Sequence, residues 1–265
     1  IDDAIWAARG WMVFTTGGTT AAPRLFRHTV HDRDQWAWNY ARGIWATGIR
    51  PGMGPMLIAL GYSPHTFGWG VHSACGLLGI PVIPGGSLDT AKRIHMLEPV
   101  RPAFLCSTPS YCMYLACQLV DRGIGPAGLG LSYLLVAGEP GATIPATKRR
   151  LEALWGARVV ELYGITEGSP APGGYQCKVT SALEPYSDHL LEDVQIWELV
   201  DPDTLEPVRE GQRGVTVVTN LYSEATPLLR FLVGDYTVFS HAPCACGRTH
   251  KRAIVSTDRL LAGAA

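Results

Sequence analysis

The sequence predicts an α/β protein: a doubly wound, mostly parallel sheet followed by a β-rich subdomain. Two observations carry this. Short apolar runs alternate with helix-period stretches through residue 167, as βαβ units do. From residue 168 the pattern changes to period-2 segments, VQIWELVD, GVTVVTNL and DYTVFS, the signature of half-buried antiparallel strands. The expected division is 1–167 as core and 168–255 as β-rich subdomain, with 256–265 set apart.

The elements follow in order. WMVFTT (11–16) is a β-branched run, read as a strand, and GGTTAAPR is a loop. Asp32 with Gln35 three residues later suggests a capping box, and Trp36, Tyr40 and Ile44 recur at helical spacing. Pro51 and Gly52 are expected to end that helix. MLIAL (56–60) reads as a buried strand, 67–79 as a small-residue helix, IPVI (80–83) as a strand and 88–97 as a helix. AFLCS (103–107) precedes a helix over 108–122 that opens on Thr108-Pro109, an N-cap with proline at the first position. LSYLLVAG (131–138) is the clearest buried strand, followed by a helix over 144–155 and the strand RVVELYG. DPDTLEPVREG reads as a hairpin connection.

Composition narrows the function. The 265 residues suffice for a sizeable core, and 47% are hydrophobic, which excludes a disordered tail. Charged residues are 17%, against about 25% in a typical soluble chain. The net charge of −1 leaves no basic excess for a nucleic-acid partner. No apolar run reaches membrane-spanning length, and IDDAIWAARG lacks a secretory h-region. The seven cysteines are an odd set for a disulfide framework, so reduced thiols and a cytoplasmic location are expected. Cys75, Cys106, Cys112 and Cys117 sit in apolar stretches and are expected to be core residues.

Gly123–Gly128 matches G-x-G-x-x-G by letter. A helix precedes it and a strand follows, the reverse of the dinucleotide-binding arrangement, so the match is set aside.

Other segments carry chemistry. Thr15-Thr16-Gly17-Gly18-Thr19-Thr20 places four hydroxyls and two glycines after the first strand, a pattern suited to cradling an anion. A plain flexible turn is the competing reading. Gly138-Glu139-Pro140 follows the best strand, where open α/β sheets bind ligands. Tyr163-Gly164-Ile165-Thr166-Glu167 supplies an aromatic face, a hydroxyl and a carboxylate, which a purine, a phosphate and a magnesium ion would need. LRFLVGD places Asp235 after a glycine, suited to ribose hydroxyls.

TTGGTT, the GEP triplet, YGITE and LRFLVGD, in that order, resemble the adenylate-forming (AMP-binding) superfamily, in particular its phenylacetate–coenzyme A ligases. GYSPHTFG (61–68), STPSY (107–111), DPDTLEPVREGQRG and CACGRTH (244–250) resemble that subgroup's acid-pocket segment, helix start, late hairpin and CxCGRTH element. The resemblance runs from residue 12 to about 254.

The resemblance implies the large N-terminal domain of such an enzyme, lacking both ends, with 256–265 as a hinge remnant. It implies activation of an aryl or arylacetic acid by ATP to an acyl-adenylate, then transfer to coenzyme A. A nucleotide-binding pseudoenzyme, or an enzyme loading a carrier protein, is the alternative. Thr15–Thr20 would hold the β- and γ-phosphates. Gly138, Glu139 and Pro140 would line the adenine site, with Tyr163 stacking on the base. Thr166 would bind the α-phosphate, Glu167 the Mg2+, and Asp235 the ribose. Tyr62, His65, Phe67 and Tyr111 are candidates for the acid pocket, with ordinary core packing as the competing reading. The partner expected is a small aromatic carboxylic acid, with no nucleic acid, no membrane, and a homodimer as the assembly considered.

The chain departs from the family pattern. Gly17, Ala21 and Ala22 replace a serine, a glycine and a lysine of the phosphate loop, and Ser256 stands where the ribose-binding hinge arginine is usual.

Cys177, His189, Cys244 and Cys246 offer three thiols and an imidazole for a structural Zn2+, a set that the resemblance supports. His241 and His250 are spare candidates, and unpaired cysteines are the competing reading.

Overall fold

The computed structural model describes residues 8–15, 24–168 and 172–259. β1 (Met12–Thr15) and β2 (Leu25–His28) form a small antiparallel hairpin. The helix α1 (Val30–Thr47) then starts three residues earlier than expected. Its capping box is Thr29 with Asp32, not Asp32 with Gln35. The Thr29 hydroxyl accepts from the Asp32 N–H at 3.0 Å, and the Asp32 carboxylate accepts from the Thr29 N–H at 2.9 Å. Asp32 also accepts from the N–H groups of Glu224 and Ala225, which explains a fully buried carboxylate at a helix start. α1 ends at Gly48 (φ 105°) rather than at Pro51-Gly52, because glycine adopts the left-handed cap at no steric cost.

The remaining elements are β3 (Met56–Ile58), α2 (Thr66–Leu78), β4 (Val82–Pro84), α3 (Thr90–Val100), β5 (Phe104–Ser107), α4 (Pro109–Val120), β6 (Tyr133–Val136), α5 (Pro145–Trp155) and β7 (Arg158–Tyr163). Then come β8 (Gly174–Tyr175), β9 (Asp188–Leu190), β10 (Gln195–Val200), β11 (Arg213–Asn220), β12 (Phe231–Ser240) and β13 (Arg252–Arg259). α3 starts two residues later than read, behind an Asp89 cap, and runs to Val100. Thr108 caps α4 with Pro109 in the first turn, as the sequence indicates. Gly123–Gly128 lies in the turn after α4 and in a short 3-10 helix before β6, away from any strand-to-helix junction.

One sheet of eleven strands runs β10-β11-β12-β13-β9-β8-β7-β6-β5-β3-β4. The segment β4-β3-β5-β6-β7 is parallel, and every pairing from β7–β8 onward is antiparallel. Alternation along the parallel strands fills two cores. Met56, Ile58, Phe104, Cys106, Leu135 and Val160 pack with Trp36, Tyr40 and Ile44 of α1 and Val71 of α2. Leu57, Leu105, Leu134, Val136 and Val159 pack with Ile94 of α3, Leu115 of α4 and Trp155 of α5. The sheet is therefore doubly wound, with helices on both faces of its parallel part. A separate apolar cluster, with Leu190, Trp197, Val218 and Phe239, supports the antiparallel strands.

Cys75, Cys106 and Cys112 are buried, and burial pushes the thiols of Cys75 and Cys112 up to about 12. Cys117 is exposed, contrary to expectation. It falls on the outer face of α4, whose inner face is Cys112, Leu115, Ala116 and Leu119. Among the described residues, no helix is long and apolar enough to cross a membrane.

Candidate active site

The strand order fixes where a ligand can sit. β3 lies between β4 and β5, so the connections leaving β3 and β5 depart to opposite faces and open a crevice at their C-terminal ends. Four loops meet there. The loop after β3 is joined to β5 by the Ala59 N–H on the Cys106 carbonyl (2.9 Å) and by the Ser107 hydroxyl on the Ala59 carbonyl (3.3 Å). The loop after β6 is joined to the start of α4, because Glu139 Oε1 accepts from the Ser110 N–H at 2.5 Å. Gly138 has φ 89°, so this turn needs a glycine. The hairpin joins as well: the Thr15 N–H donates to the Pro64 carbonyl at 2.8 Å. Thr16, Gly17, Gly18, Thr19 and Thr20, with Ala21 and Ala22, lie outside the described residues.

The crevice continues into the antiparallel half. The Tyr163 hydroxyl, at the end of β7, donates to Asp235 Oδ2 on β12 at 2.8 Å. Asp235 follows Gly234 (φ 91°) at a register shift between Asp235 and Thr237, a bulge that re-aims the strand. Tyr163 packs near Trp197 at 6.1 Å between ring centroids. Gly173 makes that possible, since a Cβ there would lie 2.8 Å from Trp197 and 3.2 Å from Tyr163. Thr166 and Glu167 are half-buried in the next turn. Asn220 holds the Glu167 carbonyl at 3.3 Å, and the Gln195 side chain donates to the Gly168 carbonyl. Gly173 therefore makes room for the two rings, in a GSPAPGG segment that the sequence offers as a linker or active-site loop, while no motif flagged Gln195 or Asn220. Their role follows only from strands distant in sequence.

The acid-pocket candidates divide. Tyr62 and Tyr111 flank the Gly85–Gly86 turn, which Arg93 binds through both carbonyls (2.9 and 3.2 Å) while its guanidinium lies over the Tyr111 ring. The Tyr111 hydroxyl also lies 3.1 Å from Thr90 Oγ1. Phe67 is half-buried against the first core, 6.4 Å from the Tyr40 ring. His65 is exposed at the start of α2 and makes no side-chain cap.

A second constellation lies apart from this crevice. Cys177, His189, Cys244 and Cys246 bring their ligand atoms within 4.8 Å of one another. Cys177 and Cys244 Sγ are 3.9 Å apart, and Cys246 Sγ lies 3.4 Å from His189 Nε2. A tetrahedral zinc with ordinary bond lengths has S–S and S–N edges of about 3.8 and 3.6 Å, so the set fits that ion. His189 Nδ1 faces the His250 carbonyl at 3.4 Å, leaving Nε2 toward the thiols, an outer hydrogen bond typical of metal-bound histidines. The His189 ring stacks on Tyr175 at 5.7 Å. Burial opposes a thiolate at Cys177, yet hydrogen bonds from Thr180 carry its pKa below the ordinary value. The spare candidates fall elsewhere. His250 contributes its carbonyl, and His241 Nδ1 lies 2.9 Å from Glu210.

Residues 9–220, most of the chain, match the AMP-binding enzyme family. The chain belongs to that family. Among curated relatives, the phenylacetate–coenzyme A ligase of Thermus thermophilus is 35% identical over 91% of this chain and 52% of its own length. That of Escherichia coli K12 is 29% identical over 85% of this chain and 50% of its own. Among solved structures, an open conformation of 2-hydroxyisobutyryl-CoA ligase, in complex with 2-HIB-AMP and CoA, superposes with TM-score 0.85 at 29% identity. It covers 93% of this chain and 52% of that one. A long-chain-fatty-acid-CoA ligase from Archaeoglobus fulgidus shares the fold at TM-score 0.67 and 14% identity. The chain spans about half the length of the curated relatives it matches. These similarities bear out the α/β assignment and the resemblance to AMP-binding ligases drawn from the sequence.

Proposed function

We propose that this AMP-binding chain serves an acid–coenzyme A ligase that joins an aryl or arylacetic acid to ATP and passes the acyl group to coenzyme A. The observation that carries the reading is the Tyr163–Asp235 pair at the C-terminal edge of the sheet, beside the Gly138–Pro140 turn. A stacking ring and a carboxylate are thereby fixed relative to each other, as a base and its ribose are. The similarity to phenylacetate–coenzyme A ligases supports the acid class and the acceptor.

The residue roles follow. Gly138, Glu139 and Pro140 line the base, Tyr163 stacks on it and Asp235 accepts from the ribose hydroxyls. Thr166 donates to the α-phosphate and Thr15–Thr20 hold the outer phosphates. The carboxylate of the acid attacks the α-phosphate and pyrophosphate leaves, so no side-chain nucleophile is required. The protein contributes orientation and charge stabilisation. Magnesium, when bound, neutralises charge on the phosphates, and Glu167 is the residue that would hold it. Zinc would be held by Cys177, His189, Cys244 and Cys246, as a closed staple of the segment after β8. The working compartment is the cytoplasm, consistent with free thiols throughout.

Equilibrium titration with AMP tests the site. Binding that weakens by about tenfold or more in Asp235→Ala supports it. Binding unchanged in that variant places the nucleotide elsewhere.

A further inference from the structure

We propose that His72 and Trp69 are positioning residues that hold the Tyr62 ring as a fixed wall of the acid-binding cleft, favouring flat aryl acids over flexible aliphatic ones. The inference rests on the reading that the crevice takes an acid beside ATP.

The loop after β3 is where an acid has to lie. The Pro64 carbonyl accepts from the N–H of Thr15, the last described residue before the segment proposed to hold the outer phosphates. A carboxylate that attacks a phosphate must sit within contact distance of it, so the acid occupies the side of the crevice nearest these residues. Tyr62 stands two residues before Pro64 and is gripped from several sides. Its hydroxyl lies 3.0 Å from His72 Nδ1. The rings of Trp69 and His72 meet it edge-on, at 5.0 Å and 80° and at 5.6 Å and 82°. Trp69 is itself fixed, since its indole N–H donates to the Ser63 carbonyl at 3.2 Å. On another side, a Cβ at Gly86 would lie 2.7 Å from Tyr62 Cδ2, so the turn after β4 closes against the ring.

The two positioning residues are three apart on α2 and share a face of that helix. Neither would be picked from the sequence, where the aromatic residues of the loop attract attention and His72 is a lone histidine in a small-residue helix. Burial pushes the Tyr62 phenol up to about 12, so it stays neutral. A ring held this way cannot rotate to follow a ligand. It rewards a planar surface placed against it and gives little to a chain that must be ordered.

The test is calorimetric titration of wild type, His72→Ala, His72→Asn, Tyr62→Phe and the His72→Ala/Tyr62→Phe double variant. The ligands are phenylacetate, hexanoate and AMP. His72 is exposed, so its replacement leaves the core intact. In His72→Ala, phenylacetate should weaken by about fivefold, with hexanoate and AMP within about twofold of wild type. Asn restores most of the loss, because its amide can meet the phenol. The double variant loses no more than either single variant, since both break one contact. Phenylacetate affinity unchanged in His72→Ala, losses that add in the double variant, or AMP weakening in parallel would each overturn the proposal. Wild-type protein that binds AMP but no arylacetic acid would overturn the acid assignment and this inference with it. Wild-type binding of phenylacetate with an indifferent His72→Ala would overturn this inference alone.

Discussion

The Tyr163 hydroxyl donates to Asp235 Oδ2 at 2.8 Å, joining the last parallel strand to a strand of the antiparallel half. The bond fixes the distance between the ring proposed to stack on the base and the carboxylate proposed to meet the ribose. Tyr163→Phe keeps the face and loses the bond, so AMP affinity should fall about three- to tenfold. Asp235→Asn should cost at least as much, because it also weakens acceptance from the ribose hydroxyls. Titration calorimetry checks both, and two unaffected variants would remove the pair from the site.

The thiol–imidazole cluster should hold one zinc per chain, measured by elemental analysis. Metal-bound folding energy is large, so chelation should lower Tm by more than about 10 °C. Cys244→Ser with Cys246→Ser should bind no zinc. Full metal retention in that double variant would assign the ion to other ligands.

Two buried groups give opposite pH dependences of stability. His28 lies between Phe14 and Trp36, at 4.9 and 5.3 Å between ring centroids, and burial lowers its pKa to about 4. Between about pH 6.5 and 4 the unfolded chain binds the extra proton, so stability falls as pH falls, by about 3 kcal/mol in all. His28→Leu should flatten that limb of the denaturation profile; an unchanged acid limb would contradict it.

Glu161 runs the other way. Burial, only partly offset by the Lys148 ammonium, raises its carboxyl to about 7, and burial together with neighbouring Glu161 raises Asp188 well above its usual range. Through the window from about 4.5 to 7 the folded state holds more protons, so stability falls as pH rises. Glu161→Gln should reduce that slope in urea titrations at successive pH values. A slope that stays the same would show that the group does not titrate there.

Gly86→Ala should displace the loop after β3. Its Cβ would run into the Leu60 carbonyl, a backbone atom that cannot swing away, and lie 2.7 Å from Tyr62. Stability should drop by about 1–3 kcal/mol, and phenylacetate should weaken more than AMP. Equal effects on both ligands would contradict the placement of Tyr62.

The parallel half was legible because its buried strands are short, predominantly apolar runs and Thr108-Pro109 marks a helix start. The first helix was misread because Asp32 makes a plausible cap, whereas here it serves as the third residue of a helix capped by Thr29. The GEP, YGITE and LRFLVGD segments could be read as family signatures, and the match to the AMP-binding family bears that resemblance out. Gln195 and Asn220 could not be singled out, since their contacts reach from strands to a turn distant in sequence that no local pattern specifies.

Acid-dependent exchange of labelled pyrophosphate into ATP is the most direct measure of the proposed activation step. Exchange that requires phenylacetate or a related aryl acid, and that falls by about tenfold or more in Glu167→Gln, is the expected result. Exchange absent with every carboxylic acid tried, in a protein that still binds AMP, would contradict the ligase reading.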